Sequence, residues 1–353
     1  MSEIALSRQS MAQTIRQSRN AHPGLLLRRG LTVLDTNSNQ NGQHKAALIS
    51  KVTDLPAPQI YLKALERWKN ATADNERFSR MYSRFDQRLF IGLTAETALE
   101  TGIQTHHTYG MPLIPGSSIK GCALAYASAI DVPAAYIAAL FGEDETSAKQ
   151  EARIPGAGCL IWHDAWWQPA ADGKPFAAEI VTVHHQEYYA GTGEATDFDS
   201  PIPNNQLATC GTFYFVIEGD PAWTDLARNI LQRALEEIGI GAKRAAAYGY
   251  AHPDQQMQQR DEAQQQQARR AQLPVADRYR EEVAALSAEK LAEQLGRDRN
   301  NTRSKVETEI SWEDYLQIVK EIHGATLEGW EKDSNKNRKK AWKTVFGQAG
   351  DNE

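Results

Sequence analysis

The chain has 353 residues, of which 41% are apolar and 24% charged, an ordinary balance for a soluble globular protein with room for two domains. A formal charge of −6 excludes a protein that coats nucleic acid through bulk positive charge, so phosphate contacts must come from local loops. No apolar run approaches the roughly 20 residues of a membrane span, the N-terminus has no secretory pattern, and Cys122, Cys159 and Cys210 form no CxxC pair. The chain therefore reads as cytoplasmic, with neither a disulfide framework nor a thiolate zinc site.

In chain order, Leu89–Leu93 is a short apolar run and predicts a strand. Ser118–Ile130 has apolar residues at helical spacing and predicts a helix. Gly158–His163 is a further candidate strand. Thr212–Ile217 predicts a strand and Ala222–Ile238 a helix with Trp223, Leu226, Ile230, Ala234 and Ile238 on one face. That strand, that helix, a glycine loop and the apolar stretch around Tyr250 make a β-α-β unit. The run at 89–93 and helix 118–130 begin a second. Two such units predict an α+β, ferredoxin-like sheet, the architecture also used by RNA-recognition motifs.

A break follows at His252-Pro253. Gln255–Gln267 holds eight glutamines in thirteen residues and has no apolar face, so it reads as a linker or solvated helix spanning 253–273. Residues 274–353 then predict a small helical accessory domain, with Trp312, Tyr315, Leu316, Val319, Ile322 and Trp330 for its core.

Two segments carry the functional reading. In Tyr109–Gly121, Pro115-Gly116 makes a turn and Ser117 or Ser118 is placed to cap the following helix. A helix N-terminus binds phosphate readily, and Lys120 in the first turn is disfavoured by the helix dipole unless an anion lies in front of it. The alternative is a capped helix whose lysine points to solvent. In Gly239–Tyr250, Gly239 is placed as a helix C-cap, Gly241 and the alanines allow close backbone approach, and Lys243 and Arg244 supply charge. The loop fits neither a Walker A sequence nor GxGxxG. A plain helix-ending turn explains one such loop; two basic ones point to an extended polyanion.

Pro115–Gly121, reading PGSSIKG, and Gly239–Gly249, reading GIGAKRAAAYG, resemble the two glycine motifs of the RAMP superfamily. Further motifs resemble the sixth-subunit family of type III-B (Cmr) CRISPR effector complexes: His22–Gly30, Leu89–Leu93, Leu99–Ile103, His106–Pro112, Val183–Tyr189, Pro201–Pro203 and Gly211–Phe215. The resemblance covers roughly residues 20–252. Arg244 departs from it, since threonine is more usual there. It implies a non-catalytic backbone subunit that grips guide RNA (crRNA) and the guide–target RNA duplex near the guide 3′ end, beside other Cmr subunits. Base pairing then reads sequence while protein reads backbone and shape. The RNA contacts it implies are Arg28, Arg29, Gly116, Ser117, Ser118, Lys120, His184, His185, Tyr188, Tyr189, Gly239, Gly241, Lys243, Arg244 and Tyr248. No cofactor or metal is implied.

Other groups remain to be weighed. The pairs His106-His107 and His184-His185 would point to opposite faces of a strand and form no HExxH motif. Tyr188, Tyr189 and Gly191–Gly193 suit either a surface loop or a projecting hairpin whose aromatics meet bases; the resemblance implies the hairpin. Trp162, Trp166 and Trp167 read as core or subunit interface. The rival function is a RAMP-type endoribonuclease, for which Asp35 and His44 in an early polar loop are the candidates. A protein scaffold without RNA contact would not need two basic glycine loops. In the tail, Lys332, Lys336, Arg338, Lys339, Lys340 and Lys343 gather around Trp342, suggesting either nucleic-acid binding by charge and stacking or a solvated helix.

Overall fold

A computed structural model describes residues 3–18, 20–35, 38–93, 99, 101–143, 156–169, 173–183, 188, 190–196 and 202–347. The chain divides into two units, residues 1–260 and 261–353. The first opens with β1 (Glu3–Ala5), α1 (Gln9–Gln17), α2 (Pro23–Arg29), β2 (Val33–Asp35), α3 (Ser38–Thr53) and α4 (Gln59–Ala71). It continues with β3 (Phe78–Leu89), β4 (Leu113–Ile114), α5 (Gly116–Ala129), α6 (Ala134–Phe141), β5 (Ile161–Trp162) and β6 (Ala165–Gln168). β7 (Phe176–Val183), β8 (Ile202–Glu218), α7 (Pro221–Glu237) and β9 (Ala251–Pro253) complete it.

The main sheet is antiparallel in order β4-β6-β8-β3-β9, with β5 and β7 also paired to β8. β8 and β9 are thus mutually parallel with β3 between them, joined through α7. β3 and β6 are likewise parallel with β8 between them, and α5 lies on their connection. Met81, Phe85 and Leu89 of β3 and Phe213, Phe215 and Ile217 of β8 bury one face in the core shared with α5 and α7. Each such side chain contributes roughly 1.5–3 kcal/mol on burial. The opposite face packs Phe78, Tyr82, Tyr214 and Val216 against Trp68 of α4 and Met257.

Beyond the sheet, β7 and the first half of β8 continue as a two-stranded ribbon, in register from Phe176↔Thr209 to Val183↔Ile202. Where ribbon meets sheet, Gly211 takes φ +93°, and β3 bulges opposite it between Phe85 and Leu89.

The expected helices at 118–130 and 222–238 are present as 116–129 and 221–237, and the expected strand at 212–217 lies within the longer strand 202–218. The expected strand at 89–93 is displaced: the strand is 78–89, and Gly92 at φ +74° turns the chain directly after it. Only Ile161-Trp162 of the run 158–163 is a strand. Trp167 is core, while Trp162 and Trp166 pack against it half-buried.

Residues 255–272 are one helix, α8, whose only buried residue is Asp261; the division between units falls within it. The second unit adds α9 (Val275–Ala284), α10 (Ala288–Ala292), a π-helical turn (Glu293–Arg297), α11 (Arg299–Val306), α12 (Trp312–Glu328) and α13 (Lys336–Phe346). Its core includes Val283, Leu291, Leu295, Trp312, Tyr315, Val319, Leu327 and Trp330. Leu316 packs half-buried, whereas Ile322 stays 37% exposed. Its neighbour His323 turns inward instead, with its ring 2.8 Å from the Val283 carbonyl.

Candidate nucleic-acid interface

Residues 239–249 leave α7 and fold back onto the end of β3. The Ala242 N–H donates to the Phe90 carbonyl at 2.8 Å and the Gly249 N–H to that of Arg88 at 3.0 Å. The Ile240 N–H closes the loop on the Gly249 carbonyl at 2.8 Å. Glycine is required here for two reasons. Gly241 and Gly249 take φ of +88° and +79°, and a Cβ at either would lie 2.3 and 2.0 Å from the carbonyl oxygens of Phe90 and Ile240.

With its base so pinned, the loop presents residues 243–247 to solvent around a 3-10 turn at Arg244–Ala246. Lys243 and Ala247 flank that turn in left-handed conformation, φ 60° and 65°. The leading N–H groups of such a turn have no partner within it, and two cations stand beside them.

Gly116 opens α5 in close contact with the strand edge: a Cβ there would meet the Trp162 carbonyl oxygen at 2.0 Å. The expected serine cap is absent. Pro115 occupies the cap position, and the Gly116 N–H donates to Asp164 Oδ1 at 2.7 Å. This carboxylate, brought from the β5–β6 turn, already complements the dipole end. Lys120 consequently lies in the second turn rather than the first, half-exposed. The surface strip of α5 is Ser117, Gly121, Ala125 and Ser128, and around Gly121 there is open space. Sequence reasoning missed this strip, although spacings of four, four and three residues carry the signal.

The two glycine segments meet. The Cys122 thiol, one turn beyond Ser118, donates to the Gly239 carbonyl at 3.4 Å. Burial pushes that thiol up to about 11, with the nearby Arg244 guanidinium opposing the shift. Tyr126 donates to Glu237 at 2.8 Å, which ties α5 to the end of α7. The cationic loop and the small-residue strip therefore lie side by side.

The remaining expected contacts divide. Tyr248 is half-buried, its ring in a T-shaped contact with that of Phe90, ring centroids 4.9 Å apart. Arg28 and Arg29 are exposed at the C-terminal end of α2, where the dipole favours cations; among the described residues no contact joins them to the glycine loop. Tyr188 is 56% exposed beyond the ribbon, while His184, His185 and Tyr189 lie outside the described residues. The ribbon is braced by Lys45 of α3, whose ammonium donates to Asn204 at 2.7 Å.

His106 and His107 sit in a turn, not a strand. His106 is half-buried against Tyr109 and Trp166, and desolvation lowers its pKa, with Asp164 opposing and His107 and His22 assisting. His22 caps α2 by accepting from Leu25 N–H at 3.1 Å. His44 belongs to α3 and Asp35 ends β2, so neither occupies the expected loop. Among the described residues no group of three His, Cys, Asp or Glu is arranged to hold a metal ion.

The turn that supplies Asp164 is itself held electrostatically. Glu218 accepts from Arg77 Nε at 2.8 Å, and its other oxygen lies 2.8 Å from His163 Nε2. The Arg77 bond holds the Glu218 carboxyl below its usual range, against partial burial and with help from His163. A depressed carboxylate pKa gives stability that is complete above the unfolded value of about 4.3 and is lost as pH falls through the lower folded value. Glu218→Gln is therefore expected to lower the Tm near neutral pH, with the gap to the parent protein closing in acid. Thermal melts across pH check this; a gap independent of pH would refute it.

The sequence profile of the RAMP superfamily matches residues 84–252, from within β3 to within β9, enclosing α5, the ribbon and the glycine loop. Residues 84–252 are a RAMP superfamily domain. Both glycine segments lie inside the RAMP region, whereas α1–α4 and the helical unit lie outside it. One relative of the chain is the CRISPR system Cmr subunit Cmr6 of Pyrococcus furiosus, 25% identical over 283 residues, which cover 64% of this chain and 82% of that protein. Similar solved structures include a type III-B Cmr-beta complex bound to cognate target RNA, at 18% identity and TM-score 0.48 over 62% of this chain and 76% of that one. Another is the crystal structure of Cmr6 from Pyrococcus furiosus, at 24% identity and TM-score 0.30 over 50% of this chain and 97% of that one.

Proposed function

We propose that the chain is a non-catalytic backbone subunit of a type III-B CRISPR (Cmr) effector complex, gripping guide RNA and the guide–target duplex near the guide 3′ end. The observation that carries this reading is the glycine loop, pinned by its backbone to β3 and placed beside the open strip of α5. An exposed, preorganised backbone with Lys243 and Arg244 suits phosphate recognition without base readout. The strand order β9-β3-β8-β6, with two interleaved β-α-β units, supports a ferredoxin-like reading of the RAMP region. The Cmr6 relative supports the assignment to a Cmr assembly in the cytoplasm, with other subunits as partners.

The test is isolation of the native complex through a tag on this chain, followed by sequencing of its RNA and identification of its proteins. Guide RNA and further Cmr subunits are expected; a chain that purifies without either would overturn the reading. Asp35→Ala, His44→Ala and His106→Ala are expected to leave target-RNA cleavage by the complex intact. Loss of cleavage in any of them, with assembly preserved, would instead make this a RAMP endoribonuclease.

A further inference from the structure

Helix α13 of the second unit buries one side and displays another. Ala341 is fully buried, and Trp342, Val345 and Phe346 pack against the core of that unit. On the outward side stand Lys336, Lys339, Lys340 and Lys343, all exposed. Their spacings of three and four residues place them on one strip of helix surface.

The strip is costly where it stands. Four pairs within it, 336 with 339 and 340, and 343 with 339 and 340, are like charges at the spacings that destabilise a helix. Lys336 is the first helical residue and Lys339 lies one turn from it, at the positive end of the dipole, and the first turn contains no acidic residue.

The cations of the unit that pair with carboxylates are arginines, while Lys290 and Lys305, like the strip, are exposed and show no ion pair among the described residues. Arg270, Arg278, Arg280, Arg297, Arg303 and Arg338 each pair with a carboxylate. Among the described residues none of the four lysines has an ion pair. Residues 253–353 carry 17 Lys+Arg and 19 Asp+Glu, yet among the described residues no carboxylate pairs with the strip.

We infer that this strip of α13 is a second nucleic-acid contact, binding a phosphate backbone by charge alone and independently of the glycine loop. Lysine suits that task, being a compact point charge without the planar fork that reads a base edge. Trp342 does not contribute a stacking face: its ring is half-buried, 6.1 Å from that of Phe346. The partner is therefore a polyanion whose repeating charge matches a row of ammonium groups, with no preference among bases.

The experiment uses the full chain carrying Lys336→Gln, Lys339→Gln, Lys340→Gln and Lys343→Gln, with binding of a fluorescein-labelled oligouridine followed by anisotropy across a salt series. Affinity at low salt is expected to fall roughly tenfold or more, and the log–log salt slope to shrink by about three, as four lost single-strand phosphate contacts require. The variant should also melt no lower than the parent chain, because like-charge repulsion has been removed. A control bearing Lys290→Gln and Lys305→Gln, exposed lysines elsewhere in the unit, should bind like the parent. Unchanged affinity and slope in the four-site variant would overturn the inference, as would an equal loss in the control. A polyglutamate competitor gives the third arm: a variant that loses polyglutamate binding but keeps RNA binding marks the strip as a protein contact and also overturns it. Variants of Lys243 and Arg244 report on the glycine loop separately, so failure here leaves that reading standing.

Discussion

Lys120→Gln, Lys243→Asn and Arg244→Gln combined are expected to weaken guide-RNA binding by roughly tenfold to a hundredfold, the scale of three exposed ion contacts at about 0.5–1 kcal/mol each. Asparagine is the apt replacement at 243 because it tolerates the left-handed conformation there, so charge is removed without disturbing the loop. Three lost phosphate contacts should also reduce the log–log salt slope by about two on single-stranded RNA. Sequence preference should not change, since on the proposed reading these groups meet phosphates and not base edges. Anisotropy titrations with two unrelated guide sequences check both points. A folded triple variant with unaltered affinity would remove the glycine loop from the RNA contact.

Gly241→Val is expected to be the most damaging single change in the interface. The backbone at φ +88° costs a β-branched residue about 1–3 kcal/mol, and relieving a Cβ 2.3 Å from the Phe90 oxygen costs about 1–3 more through backbone movement. The Ala242 bond to Phe90 is the natural casualty, and RNA affinity should fall with it. Gly121→Ala supplies the opposite case. It stands in open space within a helix, so alanine should stabilise the fold by about 0.5–1 kcal/mol. Urea unfolding and RNA titration together separate these outcomes. A Gly241→Val protein as stable as its parent would show that the loop relaxes freely and that its anchoring is unimportant.

Much of the candidate site's framework was legible from residue order. Glycine and lysine at 239–244 announced an exposed basic loop, and the apolar spacing of α5 and α7 located two helices close to where they stand. β3 was not legible, for a definite reason. Its buried apolar residues Phe78, Met81, Tyr82 and Phe85 stand at i, i+3, i+4 and i+7, with Leu89 four further on, which mimics a helix. They do so because both faces of the strand are covered: Phe78 and Tyr82 pack on one, Met81, Phe85 and Leu89 on the other. The cap from Asp164 was equally out of reach, because it arrives from 48 residues away along the chain. A neighbouring serine offered a simpler local answer. The anchoring of the loop on Arg88 and Phe90 likewise belongs to tertiary structure alone.

The ribbon of β7 and β8 reaches beyond the sheet yet shares a strand, β8, with the sheet that anchors the loop. Eight residue pairs at about 3.4 Å each make an arm roughly 27 Å long. At its root stands Gly211, directly across from Phe85 at the start of the β3 bulge. Arg88, just past that point, supplies the carbonyl that holds Gly249. The far end of the arm is thus joined, through the unbroken strand β8 and Gly211, to the strand segment on which the cationic loop is anchored.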